Sequence, residues 1–266
     1  MEIEVKNQTD DEIVFIIRDA EVPFVNAIRR IAMMEVPKLA IDDVYIVQND
    51  SAMFDEVLAH RLALTPIVSN IEYIDGLEMP DDCDCNDNCP SCSVSFTLNK
   101  SGPGVIYSKD LVSSDPKIKP VYDTIPLLKL KEDQNVELEA YAKLGIGKTH
   151  AKWVPTTVCA YKQYPKITLN EDADIDYNIP DACPRNVLKA DRNNKEIKVV
   201  DIENCSLCKA CVRADKNETN NKFINVGYHE NDFIFKIETD GSVPPKEVLL
   251  RACDVLDKKA DEFAAF

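Results

Sequence analysis

The chain has 266 residues with 31 Lys and Arg against 47 Asp and Glu, a formal net charge of −16. That acidity excludes a freestanding nucleic-acid binder whose affinity comes from neutralising phosphates. A hydrophobic share of 45% with 29% charged residues excludes disorder throughout, and at roughly 100–200 residues per domain the length suits a composite body.

The opening MEIEVKNQTDDE has no basic region leading into an apolar core, and no run approaches the ~20 apolar residues that span a bilayer, so a soluble, cytoplasmic chain without membrane contact is expected. Apolar residues crowd Ile13 to Ile17 between charged flanks, which predicts a buried strand. A helix should follow, with Pro23 in its first turn, Phe24, Val25, Ile28, Ile31 and Ala32 at three- and four-residue steps, and Pro37 as its stop. Val44 to Val47 reads as a strand and Asp55 to Leu64 as a short helix closed by Pro66. Residues 75–126 are rich in Pro, Asp, Ser and Cys, with Val94 to Leu98 as a short strand candidate. Val136, Leu138, Ala140 and Ala142 alternate with polar neighbours as in a half-buried strand, and Val154 to Tyr161 adds another. After Pro165 the composition turns acidic and cysteine-bearing until about Asn221, the mark of a separate module. Phe233, Phe235 and Ile237 then alternate in a strand, and Pro244-Pro245 opens a final helix with a face of Val248, Leu249, Ala252, Val255, Leu256, Ala260 and Phe263. The two apolar helices either pack into the chain's own core or form a layer that pairs with another chain; pattern alone leaves both open.

Ten cysteines carry the chemistry, eight of them in two groups. Cys205, Cys208 and Cys211 form a C-x2-C-x2-C run, and Cys183-Pro184 lies 22 residues before it. A bacterial-ferredoxin cluster takes three thiolates from such a turn and the fourth from a distant Cys-Pro, so these four suit one [4Fe–4S] centre, with zinc or leftover thiols as rivals. A second cluster would need cysteines where Ala173, Asp176, Ile179 and Asp215 stand. Cys83, Cys85, Cys89 and Cys92 lie within ten residues, a spacing that closes a structural zinc site without an open position for water, or else leaves free or bridged thiols. Cys159 and Cys253 stand alone in apolar stretches and are expected to be buried small hydrophobes. Signals for catalysis are poor. His60, His150 and His229 are scattered, and Gly147-Lys148-Thr149 lacks the earlier glycine of a phosphate loop, Ala142 standing in its place, so a strand-ending turn accounts for these glycines. The N-x-T sequences at Asn7 and Asn217 are chance matches without an export signal.

Placed together, FVNAIRRIAMMEVP (24–37), AIDDVYI (40–46), DEVLAHRLALTPI (55–67), GKTHAKWVP (147–155) and the closing helix resemble the D-subunit family of archaeal RNA polymerases, relatives of the third-largest subunit of eukaryotic RNA polymerase II and of the bacterial α N-terminal domain. The likeness spans nearly the whole chain. It implies an α+β fold: a split dimerisation domain of strands and two helices (1–39 and 222–266), an inserted β-rich domain (40–165) with the four-cysteine loop at 83–92, and a ferredoxin-like iron–sulfur domain (166–221). It further implies a non-catalytic platform that pairs with subunit L and receives subunits N and P and then the large catalytic subunits, which hold the polymerising site. By the same resemblance Phe24, Ile28, Arg29, Arg30, Val248, Leu249, Ala252 and Leu256 fall at the assembly surface, and His60 and Arg61 belong to the inserted domain facing the second-largest subunit. The four upstream cysteines match the zinc loop of some relatives and the downstream four match the cluster-bearing type. The rival readings are a ferredoxin-type electron carrier and an iron- or oxygen-sensing interaction protein.

Overall fold

The computed structural model describes every residue except Asn70, Asp75, Asn86, Asp87, Asn194, Thr219, Asn220 and Phe266, and all side chains of the rest but that of Tyr73. In chain order the elements are β1 (Glu2–Gln8), β2 (Glu12–Arg18), α1 (Val22–Met34), β3 (Lys38–Asn49), α2 (Asp55–Ala63), α3 (Ile71–Ile74), β4 (Ser93–Ser101), β5 (Gly104–Tyr107), β6 (Val112–Ser113), β7 (Pro126–Leu130), β8 (Asn135–Gly145), β9 (Thr156–Leu169), β10 (Leu188–Asp191), β11 (Glu196–Val199), α4 (Ala210–Ala214), β12 (Ile224–Thr239) and α5 (Pro245–Ala264). The fold is a mixed α and β one with antiparallel sheets. No described helix is long and apolar enough to cross a membrane. Packing groups the chain into two compact units, residues 1–7, 14–25 and 160–236 in one and 8–13, 26–159 and 237–266 in the other.

Most of a four-stranded sheet of order β1-β2-β12-β9 belongs to the first unit. Phe15, Ile16 and Ile17 of β2 are all buried, so the apolar run is a strand covered on both faces rather than an alternating one. Phe15 stacks on Phe235 at 5.2 Å between ring centroids, and Tyr161 meets Phe233 edge to face at 5.6 Å. β9 passes through Pro165 without stopping. It is an edge strand, where a proline is tolerated, and it runs past the Val154 to Tyr161 stretch read from the sequence. A smaller core of Ala173, Ile179, Val187, Leu188, Ile197, Phe223, Ile224 and Val226 closes around Cys205 and Cys211, and the hairpin β10–β11 covers it.

The second unit holds a sheet of order β3-β8-β4-β6 and the ribbon β5–β7. Val136, Leu138, Ala140, Ala142 and Leu144 of β8 point one way into a core shared with Leu39, Ile41, Phe96 and Leu98, as the alternation predicts. Leu58 and Leu62, one helical turn apart on α2, are its buried stripe, and both join the same core. β3 carries two register shifts, between Ile41 and Asp43 and between Ile46 and Gln48. At the first, Asp42 turns to Lys152 and Asp43 to Lys143. Gly145 ends β8 because a Cβ there would fall 2.3 Å from the Trp153 ring, and a Cβ at Gly147 would fall 2.3 Å from the Met33 carbonyl. Close packing therefore accounts for both glycines.

Within this unit the later turns of α1 pack on α5: Ile28, Ile31, Ala32 and Val36 meet Val243, Val248 and Ala252. Full burial of such side chains stabilises by about 1.5–3 kcal/mol each. Lys38, almost wholly buried, pairs with Asp240 just before α5, and Ser242 Oγ donates to the same carboxylate. Lys259 pairs with Glu35, closing the far end of the helix pair.

Candidate metal centres and assembly surface

The upstream cysteines meet in one place. Cys83 Sγ lies 3.4 Å from Cys85 Sγ and 3.6 Å from Cys89 Sγ, and Cys92 Sγ lies 3.5 Å from both Cys85 and Cys89. All four sulfurs fall within 4.8 Å of one another. A tetrahedral ion with Zn–S bonds of about 2.3 Å sets its sulfurs about 3.8 Å apart, so the thiols fit a single zinc-sized ion. The turn is held by Cys92 N–H and Ser93 N–H, which both donate to the Cys89 carbonyl at 3.1 and 2.9 Å. The Ser91 backbone N–H, followed by the Cys92 thiol, stabilises the Cys89 thiolate and brings its pKa down to about 7, readying a ligand to release its proton.

The downstream cysteines line one pocket, with Ile167, Val187, Leu188 and Val226 as its apolar wall. Cys205 and Cys211 are buried, Cys183 is half-buried and Cys208 is exposed. Cys183 Sγ accepts the Val187 N–H at 3.4 Å. The Cys205–Cys211 turn places Leu207 and Lys209 in left-handed backbone, each at φ 57°, and Asn186 after Cys183 has φ 53°. Such residues cost about 1–3 kcal/mol each and persist where surrounding structure imposes them. The Ala210 N–H lowers the pKa of Cys208, whereas burial raises that of Cys211.

Lys162 on β9 donates to the carbonyls of Glu203 and Cys205 at 2.6 and 2.8 Å. Arg213 donates to the Cys208 carbonyl at 2.9 Å. Sequence reasoning missed Lys162, because its acceptors lie 41 and 43 residues away and nothing in its alternating strand points to them.

The positions a second cluster would occupy are filled. Ala173 and Ile179 sit in the small core. Asp215, 3% exposed, accepts N–H groups from Phe223 at 2.7 Å, Ile224 at 3.2 Å and Asn217 at 3.0 Å. Burial alone would raise its pKa, but the N–H groups of Asn217, Ile224 and Phe223 outweigh that and the net shift is downward. Asn217 is engaged as well, its side-chain amide donating to the Asp174 carbonyl and to Asp215.

The residues expected at an assembly surface divide by exposure. Ile28, Val248 and Ala252 are buried in the helix pair's own core, one of the two readings that the helical pattern left open. Leu249 and Leu256 are half-buried against that core. Arg29 is half-buried, its Nε donating to Asn26 and its guanidinium reaching Met33 Sδ, while Arg30 is exposed. Phe24 keeps 38% of its surface exposed, and Val22, Met34, Leu250 and Phe263 are exposed too. His60 and Arg61 are exposed on α2, and Arg61 donates to the Pro126 carbonyl. Cys253 is exposed on α5 rather than buried, because its position falls off the apolar stripe of Val248, Ala252 and Val255; Cys159 is half-buried, and burial raises its pKa to about 12.

The antiparallel β region of the second unit is that of an RNA polymerase subunit: residues 44–157 match the family model of the RNA polymerase Rpb3/RpoA insert domain. The whole chain is 66% identical over 271 residues to DNA-directed RNA polymerase subunit Rpo3 of Methanobrevibacter smithii, covering all of this chain and 98% of that one. It is 56% identical over 266 residues to the Rpo3 subunit of Methanothermobacter thermautotrophicus and 36% identical over 265 residues to that of Pyrococcus furiosus, covering 98% and 95% of those chains. The chain belongs to the Rpo3 family of DNA-directed RNA polymerase subunits, whose members take part in catalysis only within the polymerase complex.

Proposed function

We propose that the chain is a cytoplasmic, non-catalytic assembly platform of an archaeal RNA polymerase, pairing with subunit L so that subunits N and P and the large catalytic subunits can dock. The observation that carries this reading is the helix pair: α1 and α5 seal their inner stripes with their own residues and still leave Val22, Phe24, Met34, Leu250 and Phe263 exposed. Large apolar side chains kept in water on ordered helices are what a permanent interface covers. Ile28, Val248 and Ala252 then act as the backing that fixes the helices, with Phe24, Arg30 and their exposed neighbours making the contact. His60 and Arg61, exposed on α2, would meet the second-largest subunit. In this reading residues 1–39 with 222–266 form the split dimerisation domain, 40–165 the insert and 166–221 the ferredoxin-like domain.

Cys183, Cys205, Cys208 and Cys211 would hold one [4Fe–4S] group, supported by the single pocket they line, and Cys83, Cys85, Cys89 and Cys92 would hold zinc, supported by their spacing. Bound there, each group supplies cross-linking of segments with little core of their own. The test of the platform reading is co-purification with subunit L of the wild type and of Phe24→Asp. Wild type should return L in equal amounts, and Phe24→Asp should lose it while melting within about 2 °C of wild type, because the change lies on an exposed face. A wild-type chain that ignores L, or a Phe24→Asp variant that binds it undiminished, would overturn the reading.

A further inference from the structure

The turn that delivers the first thiol of the downstream group is gripped from the sheet by two lysines. Ile202–Asn204 forms one short helical turn ending at Cys205, and the Asp201 carboxylate caps it by accepting the Asn204 N–H at 3.2 Å. Lys6 on β1 pairs with the Glu203 carboxylate at 2.8 Å. Lys162 on β9, half-buried, takes the carbonyls of Glu203 and Cys205 at 2.6 and 2.8 Å. β1 and β9 are the two edges of the same sheet, so the turn is fastened at both sides of it. Of the two lysines, Lys162 is the one bonded to a cysteine of the pocket.

We propose that Lys162 is the positioning residue of the cluster turn, its ammonium clamping the carbonyls of Glu203 and Cys205 so that the Cys205 thiolate is presented to the pocket and a positive charge is fixed on the turn that carries it. This rests on the reading of Cys183, Cys205, Cys208 and Cys211 as ligands of a [4Fe–4S] group. Two physical consequences follow. A hydrogen bond from a charged donor to two carbonyls fixes the turn more firmly than a neutral contact, which favours retention of a group held by one thiolate from that turn. Four thiolates around a cubane at the 2+ level sum to a charge of −2, and uptake of one electron takes it to −3. A fixed cation beside it therefore favours the reduced form and raises the reduction potential. The pocket lining itself carries Arg185 and Lys209, and Lys162 adds a charge fixed at the Cys205 carbonyl.

The experiment uses the full chain, purified without oxygen as wild type, Lys162→Met and Lys162→Arg. Iron and acid-labile sulfide are measured, the midpoint is read by electron paramagnetic resonance with dithionite supplying the electron, and iron loss to a chelator is timed. Lys162→Met should shift the midpoint to more negative values and release iron roughly tenfold faster; Lys162→Arg, which keeps the charge, should stay close to wild type. A Lys162→Met chain that fails to retain sulfide while Lys162→Arg retains it supports the same role. A filled Lys162→Met with wild-type midpoint and wild-type iron loss overturns it, as does equal loss of the cluster from both variants. Wild-type protein without sulfide overturns the cluster reading itself, and so separates that failure from this one.

Discussion

Asp215 offers the sharpest test of how the 166–221 module is built. Its carboxylate replaces a cysteine that a two-cluster module would need, and it is buried with the backbone N–H groups of Phe223 and Ile224 aimed at one oxygen and that of Asn217 at the other. Asp215→Ala strands two buried donors at about 1–3 kcal/mol each, so a loss of about 3–5 kcal/mol is expected with the lost charge assistance. Asp215→Asn keeps one oxygen but turns an amide N–H2 toward the remaining donors, for a loss of about 1.5–3 kcal/mol. The assay is urea unfolding of the full chain together with amide exchange of peptides spanning 210–226, which should accelerate about 100-fold in Asp215→Ala. The pH dependence has a definite sign. A carboxylate whose folded pKa is depressed stabilises fully above its unfolded value of about 3.9 and loses that contribution as pH falls through the folded value. The gap between wild type and Asp215→Asn should therefore hold at neutral pH and shrink below about pH 4. Asp215→Cys should be destabilised without gaining iron, because Ala173 and Ile179 fill the place of its co-ligands. An Asp215→Ala chain within about 0.5 kcal/mol of wild type, with unchanged exchange, would refute this account.

Replacing Cys89 by Ser should abolish one equivalent of zinc per chain and expose the loop at 83–92 to protease; metal analysis showing full zinc in the variant would count against the four-sulfur site. Phe96→Ala, fully buried in the core of the insert, should cost about 3–5 kcal/mol by chemical unfolding. Ile28→Ser should destabilise the chain by about 2–5 kcal/mol whether or not a partner is present, in contrast to the exposed Phe24, and equal melting curves for the two variants would contradict the division drawn between backing and contact. Gly145→Ala should force Trp153 out of its seat and lower the melting temperature by several degrees, whereas a phosphate-binding role for 145–149 would instead show as lost nucleotide binding.

Periodic burial was legible in advance wherever one side of an element is covered. The β8 alternation from Val136 to Ala142 and the α1 steps from Val25 to Ala32 each followed the face that meets a core. β1 left no such trace: all of its residues are exposed, and its place in the sheet comes from backbone pairing that any sequence makes. β7, five residues that open at a proline and pair with short β5, shows no alternation to mark it as a strand. The exposed position of Cys253 and the buried one of Ile28 were not legible, because a helical stripe shows which side is apolar but not how much of that side the chain covers itself. Cysteine spacing carried further: the upstream four thiols come together and the downstream four line one pocket. Long-range ties such as Lys162 on two carbonyls and Lys38 on Asp240 join residues 41 to 202 positions apart and leave no local signal.

The two cysteine groups sit where burial is thinnest. The core of the insert joins Leu39, Ile41, Leu58, Leu62, Phe96 and the inward row of β8, whereas the loop at 83–92 contributes only Cys92 to the buried set among its described residues. The module around 166–221 packs Val187, Leu188, Ile197, Phe223 and Ile224 about Cys205 and Cys211, so two thiols are themselves part of its core. At about 1.5–3 kcal/mol per buried aliphatic side chain against about 1–2 kcal/mol of backbone entropy per ordered residue, a segment of this length with so few buried residues is not held by burial alone. Metal removal should therefore act unequally: chelation ought to raise amide exchange across 166–221 and 83–92 while β3, β4 and β8 keep their protection. Uniform loosening of all three strands on chelation would mean that sulfur ligation supports the whole chain, and the distinction between a self-sufficient core and metal-held segments would fail.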